Sequence, residues 1–150
     1  MRLLIQRVKK ASVSIEGRIY SKIDKGLLVF LGIEDEDNTT DVKWLVEKLL
    51  KLRVFDDDNG IMNLSVIDIA GDILVVSQFT LYASTKKGAR PSYIRAARPE
   101  KAIPLYKEFL AMVAQKQGKN PSSGEFGANM AIDLINDGPV TIWIDSKHKE

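Results

Sequence analysis

Two short segments carry the groups from which a reaction centre could be assembled. Ser77-Gln78-Phe79-Thr80-Leu81 follows an apolar run, so a buried strand runs out into hydroxyls, an amide and exposed main-chain N–H groups. Rigid elements commonly present functional groups at such an end, although an ordinary strand end has the same composition. Asn136-Asp137-Gly138-Pro139-Val140-Thr141 is the second. Its residue types suit a tight turn equally well, and the state of an X-Pro bond cannot be read from sequence.

Conventional acyl-transfer chemistry lacks its parts. A triad needs a nucleophile, a base and a group that orients the base. The only histidine is His148, three residues from the end of the sequence, where chains are usually mobile. There is no cysteine, which excludes disulfides, a thiolate nucleophile and cysteine-ligated metals. No GxSxG elbow, HExxH helix or phosphate-binding P-loop is present. Asp56-Asp57-Asp58-Asn59-Gly60 has the composition of a calcium loop but the wrong frame. With Gly60 at the sixth position, the first ligand falls on Phe55 and the twelfth on Val66, where an acid is required. Asn59-Gly60 reads instead as a tight turn, and no metal is expected.

Charge adds one more candidate. Net charge is only +2, but Lys86, Lys87, Arg90, Arg95 and Arg98 share a stretch that contains no acid. The acids gather at 34–37 and 56–58. A basic loop can hold phosphates, and it can equally be a solvated surface loop.

The elements that must position these groups follow from periodicity. Residues 3–5 with Val8, then 13–15, read as strands, Glu16-Gly17 as a turn, and 18–23 as a returning strand. The run GLLVFLGI at 26–33 suits a strand buried on both faces. Asn38-Thr39-Thr40-Asp41 supplies capping oxygens for a helix carrying Val42, Leu45, Val46, Leu49 and Leu52, running to about Arg53 with Trp44 at its edge. Residues 73–79 form a second apolar strand. Helical spacing recurs over 99–117, with Pro104 placing the regular start near Ile103 after an irregular turn, and Gly118 suiting its end. Residues 130–135 and 140–145 read as two closing strands joined by the 136–139 turn. Many strands and two helices imply a mixed α/β sheet with helices covering one side.

Bulk properties agree. A chain of 150 residues, 45% hydrophobic and 28% charged, suits one domain with a real core. No repeat or linker divides it. The N-terminal stretch lacks the apolar run of a signal peptide, and no run approaches the ~18 apolar residues of a membrane span. The expected compartment is the cytoplasm.

Taken together and in order, SQFTL at 77–81, Gly88-Ala89-Arg90-Pro91-Ser92-Tyr93, Gly124-Glu125-Phe126-Gly127-Ala128-Asn129-Met130 and NDGPVT at 136–141 are specific. With Ile5-Gln6-Arg7-Val8 and Ala11-Ser12-Val13, the chain resembles the bacterial-type D-aminoacyl-tRNA deacylases along essentially its whole length. Tyr93 stands where phenylalanine is commoner, and Ser123 where threonine is usual.

The resemblance implies a three-layer α/β/β mixed-sheet domain that works as a homodimer. It acts on the aminoacylated 3′ end of tRNA, without cofactor, metal or membrane. It implies that Gly138-Pro139 is a cis dipeptide inserted into the partner's pocket, excluding an L side chain while admitting glycine. Gln78 and the amides of Phe79 and Thr80 would surround the scissile ester, with Ser77 beside them and a water or Thr80 as nucleophile. Water assisted by the terminal ribose hydroxyl is favoured, because no base stands ready for Thr80. Arg7 would hold the Gly-Pro motif. Ala102, Phe126 and Met130 match pocket-wall positions, though ordinary core packing suits Phe126 and Met130 as well. Lys86, Lys87 and Arg90 would hold the tRNA. Two rivals are a non-catalytic nucleic-acid-binding dimer of the same fold and a small-molecule hydrolase built on 56–58.

Overall fold

The structure, a computed structural model, describes residues 1–149. The chain runs β1 (Arg2–Ile15), β2 (Arg18–Ile23), β3 (Gly26–Gly32), α1 (Thr39–Lys51), β4 (Phe55–Asp56), β5 (Met62–Leu64) and β6 (Asp72–Ser77). A 3-10 turn (Phe79–Tyr82), α2 (Pro99–Gln117), β7 (Ser122–Ser123) and β8 (Ala131–Asp145) follow. The main sheet has the order β2-β1-β3-β6-β7, and β8 pairs along the other edge of β1. β3–β6 and β6–β7 are parallel, whereas the pairings of β1 are antiparallel. The sheet nearly closes on itself. Ser21 Oγ on β2 donates to the Ser123 carbonyl on β7 at 2.8 Å.

Both sheet faces are covered, which explains the continuous apolar runs. Leu27, Val29 and Leu31 point to the helices, whereas Leu28 points to the interior of the curled sheet; on β6, Ile73 and Val75 alternate with Leu74 and Val76. The helix side is filled by Val42, Leu45 and Leu49 of α1 and Leu105, Phe109 and Val113 of α2. Each such side chain contributes roughly 1.5–3 kcal/mol when fully buried. α1 starts as its sequence suggests. Asn38 Oδ1 accepts from the Thr40 amide at 2.8 Å and Asp41 Oδ2 from the Asn38 amide at 3.0 Å, a capping box.

Four elements differ from the sequence reading. β1 is one strand of 14 residues, with no break after Val8. The strand expected over 73–79 ends at Ser77, and the chain turns into the 3-10 turn. α2 is helical from Pro99, not from Ile103. Pro99 occupies the first helical position, where its missing N–H costs nothing. Pro104 removes only the bond to the carbonyl of Glu100, an exposed residue that water can serve.

The fourth difference concerns 136–139. It does not join two strands; it is a bulge within β8. Gln6 pairs with Thr141 and Val8 with Asn136, so β8 spends five residues where β1 spends two. Asn136 spans the bulge with its own side chain, accepting from the Val140 amide at 3.2 Å and donating to the Val140 carbonyl at 3.1 Å. The bulge lets the halves of β8 serve different cores. Ile132 and Leu134 pack with Val8 and Val13, whereas Ile142 and Ile144 pack on the helix side.

Candidate active site

The end of β6 opens into a cleft of about 250 Å³. Ser77, Gln78 and Phe79 form one side, Ala102 of α2 another, and Phe126 and Met130 a third. Ile33, Ala97 and Ala128 also reach it. Ala97 and Ala128 escaped sequence reasoning. The small residue after Gly127 was the available signal for Ala128, since a pocket wall needs room, and Ala96-Ala97 was a similar one before α2. Phe126 is steadied edge-on by Tyr106, with ring centroids 5.8 Å apart. Tyr106 donates to the Val75 carbonyl at 2.9 Å, and burial pushes its phenol up to about 12.

The electrical character of the cleft is its most informative property. No lining residue among those described has an ionisable side chain. What it does have are main-chain donors. The amides of Phe79 and Thr80 head the 3-10 turn, and neither has a hydrogen-bond acceptor among the described residues. Gln78 is itself anchored by its amide to the Leu31 carbonyl at 2.8 Å. Its side-chain amide donates to Thr80 Oγ1, so the hydroxyl is held by a neutral group and no base is bonded to it. Tyr82, the last residue of the turn, is also no acid at neutral pH. Burial, reinforced by the charges of Asp37, Glu34 and Asp145, pushes its phenol upward.

The remaining candidates lie elsewhere. Gly138 and Pro139 do not line this cleft. They form the exposed crest of the β8 bulge, joined by a cis peptide bond. Arg7, 8% exposed, is wedged beneath them. Its Nε donates to the Asp137 carbonyl at 2.8 Å and its Nη1 to the Val54 carbonyl at 2.5 Å. Asp56 Oδ1 lies 3.4 Å from Nη1, so the first residue of the acidic run braces Arg7. Asp57 instead organises the Asn59-Gly60 turn, accepting from the amides of Asn59 and Ile61 at 2.9 and 3.1 Å. Among the described residues, no group of three His, Asp or Glu is placed to hold a metal ion. Lys86, Lys87 and Arg90 are exposed on the loop after the turn, with no ion pair among the described residues. Arg95 differs, bonding Glu34 Oε2 at 2.9 Å. His148 lies beside Asp145, its Nδ1 3.4 Å from Oδ2, and is not part of the cleft.

Phe79 lines the cleft and Thr80 stands one residue behind it, outside the lining. An apolar cleft that begins such a turn, with no acid or base of its own, can polarise a carbonyl group and can do little else unaided. That defines a class of site suited to a substrate already reactive, such as an activated ester. The comparisons narrow the class. Residues 4–145 match the family model for D-Tyr-tRNA(Tyr) deacylase, and the chain belongs to that family. It is 59% identical over 150 residues to the D-aminoacyl-tRNA deacylases of Parabacteroides distasonis and Flavobacterium psychrophilum, covering 100% of both chains each time. Among solved structures, the c-Myc DNA unwinding element binding protein superposes with a TM-score of 0.92 at 39% identity, over 97% of this chain and 98% of that one. A probable eukaryotic D-amino acid tRNA deacylase, 18% identical, has a TM-score of 0.81 over 95% and 97%, and shares the mixed α/β fold. No helix among the described residues is long and apolar enough to cross a membrane.

Proposed function

We propose that this protein hydrolyses the ester joining a D-amino acid to the 3′ end of tRNA. The observation that carries the reading is the unpartnered amide of Phe79, a lining residue of a cleft without ionisable side chains, with the equally unpartnered amide of Thr80 next in the turn. Full-length likeness to named deacylases supplies the substrate class.

In this reading the ester carbonyl oxygen accepts from those amides. Water adds to the carbonyl carbon, the bond to the ribose oxygen breaks, and free amino acid and tRNA leave. Positioning supplies much of the rate, because the aminoacyl ester is already activated. The proton moves through water and the neighbouring ribose hydroxyl of the substrate, since Gln78 and Thr80 are neutral. Gln78 orients Thr80, while Ser77, Ala102, Phe126 and Met130 shape the wall.

Chirality is set by a second copy. The chain is read as one domain over 1–150, a three-layer α/β/β unit that pairs as a homodimer in the cytoplasm. The bulge crest of one copy enters the cleft of the other, held by Arg7. Its main-chain carbonyls bind the substrate amino group and occupy the space an L side chain needs. Mischarged glycyl-tRNA has no side chain to clash and is also hydrolysed. Lys86, Lys87 and Arg90 hold the acceptor-end phosphates.

The test is to incubate the purified protein with D-Tyr-tRNA, L-Tyr-tRNA and Gly-tRNA and follow ester loss. Loss of the D and glycyl esters with survival of the L ester supports the reading; equal loss of D and L removes the filter. A second reading has one observation behind it, the solved relative named for DNA binding. Retained tRNA binding with no hydrolysis of any ester would favour that role.

A further inference from the structure

We infer that Arg2 is a positioning residue for the hydrolytic cleft, holding the 3-10 turn whose leading amides receive the ester oxygen. The inference rests on the function proposed for that cleft. Arg2 does not line the cleft itself. It acts on the far end of the turn, at Leu81 and Tyr82.

Three contacts make the hold. Arg2 Nη1 donates to the Leu81 carbonyl at 2.9 Å, and Nε donates to Asp145 Oδ2 at 2.8 Å. The guanidinium carbon lies 4.3 Å from the centre of the Tyr82 ring, within cation–π range. Arg95 addresses the same ring from 5.4 Å. Tyr82 is 1% exposed and the Arg2 side chain 17%, so water screens that contact less than it screens the half-exposed Arg95. Gly32 completes the seat. A Cβ there would lie 3.0 Å from Leu81 Cβ and 3.2 Å from the Gln78 carbonyl oxygen, so the turn rests directly on bare backbone.

The turn needs external support because it has almost none of its own. It has four residues, closed by bonds from Leu81 to Gln78 at 3.2 Å and from Ala83 to Thr80 at 3.0 Å. So short a 3-10 segment has poor bond geometry and no cooperative reserve. Oxyanion donors work only when fixed where charge develops, so loosening at Leu81 carries back to Phe79 and Thr80. Lysine cannot replace Arg2. A lysine ammonium has three donors on one nitrogen and no flat face, so it cannot reach Asp145 and Leu81 from separate nitrogens while stacking on the Tyr82 ring, as the planar fork does.

The experiment compares Arg2→Gln and Arg2→Lys with the unaltered full-length protein on D-Tyr-tRNA. We expect kcat to fall about tenfold with KM changed less than about twofold, in both variants. Amide hydrogen exchange should quicken at Leu81 and Ala83, whose amides close the turn, and stay unchanged in the middle of β1. Unchanged kcat in a folded variant would overturn the inference. So would a uniform rise in exchange with a matching drop in Tm, which marks a merely structural residue, or recovery of full kcat by Arg2→Lys. Should Arg2→Gln not fold, Arg2→Lys decides by the same readings. If the unaltered protein leaves D-Tyr-tRNA intact, the proposed function fails, while the exchange pattern still tests the hold on the turn.

Discussion

The 3-10 turn and the β8 bulge make a useful pair. Both present main-chain atoms, and both are tethered by an arginine of β1 that donates to a carbonyl. Arg2 holds Leu81 at 2.9 Å and Arg7 holds Asp137 at 2.8 Å. They differ in their surroundings. The turn starts at a cleft in its own chain, which Phe79 lines, and its first two N–H groups have no acceptor among the described residues. The bulge crest, Gly138 and Pro139, is exposed and does not reach that cleft. One is a receptacle and the other a projection. Under the proposed function these are the two halves of a chiral filter, which a single copy cannot join, and that is the reason for proposing a dimer.

The largest effect should come from spoiling the projection. Gly138 has φ 143°, outside the range of L side chains, and a Cβ there would lie 2.8 Å from the Val140 nitrogen and 3.1 Å from Arg7 Nη2. Gly138→Ala must therefore move the crest. We expect at least about a hundredfold loss of D-Tyr-tRNA hydrolysis, measured by ester release, since displacements near 1 Å carry costs of that size. A variant with full activity and intact selectivity would break the comparison. Spoiling the receptacle more gently comes next. Gln78→Ala removes the amide that holds the Thr80 hydroxyl and should lower kcat about tenfold without changing Tm or the proposed pairing of copies. Full activity in that variant would remove Gln78 from the site.

The two regions were also unequally legible in the sequence. Local signals carried β2, the Glu16-Gly17 turn and α1, because the capping box and the helical spacing lie within a few residues of what they control. The bulge was misread because Asn-Asp-Gly-Pro is good turn chemistry. Only pairing with β1, more than a hundred residues away, keeps both halves of β8 in one strand. The 3-10 turn was missed for a related reason. Ser77-Gln78-Phe79 continues the alternation of a strand, while the departure is supported by Gly32, Arg2 and Arg95, all remote in sequence. The reading singled out Arg7 through likeness alone. Its bonds to Val54 and Asp137 and its brace by Asp56 became visible only in three dimensions. The segments proposed to carry the chemistry stood out in the sequence, and the contacts that hold them in place did not.

The tethers can be separated by what they bond. Arg7 gives its two short bonds to carbonyl oxygens in a nearly buried setting. Arg7→Gln should leave at least one carbonyl unpaired, costing about 1–3 kcal/mol in urea unfolding, with lost selectivity. Unchanged unfolding would mean that the bulge holds itself. Arg2 bonds a nearly buried carboxylate, that of Asp145, at 2.8 Å, whereas the carboxylates of Asp56 and Asp137 stand 3.4 and 3.6 Å from Arg7. Burial raises the Asp145 pKa, but bonds from Arg2 and from the Lys147 and His148 amides outweigh it and pull the group down to about 2. A depressed acid stabilises the fold above its unfolded value near 3.8, and that contribution fades as pH falls toward 2. Acidification through that window should loosen 79–83 before the bulge, and Asp145→Asn should flatten the acid limb of the stability curve. Equal loosening of both regions would erase the distinction between the tethers.

The smallest effect concerns the approach of substrate. The loop after the turn carries Lys86, Lys87 and Arg90, exposed and without ion-pair partners among the described residues, whereas the bulge contains Asp137 and β8 adds Asp133. Phosphates should therefore meet the molecule on the receptacle side. Each phosphate neutralised in binding releases counterions and adds about 0.7–0.9 to the slope of log affinity against log salt. If both lysines touch phosphates, Lys86→Glu with Lys87→Glu should flatten the slope for tRNA by about 1–2 units. The effect on kcat should be slight, since neither residue lines the cleft. A loop that merely solvates itself gives the same slope before and after reversal, and the basic stretch would then have no part in holding tRNA. A changed slope with unchanged kcat separates capture of the nucleic acid from hydrolysis of the ester, assigning the first to loop side chains that stand outside the cleft.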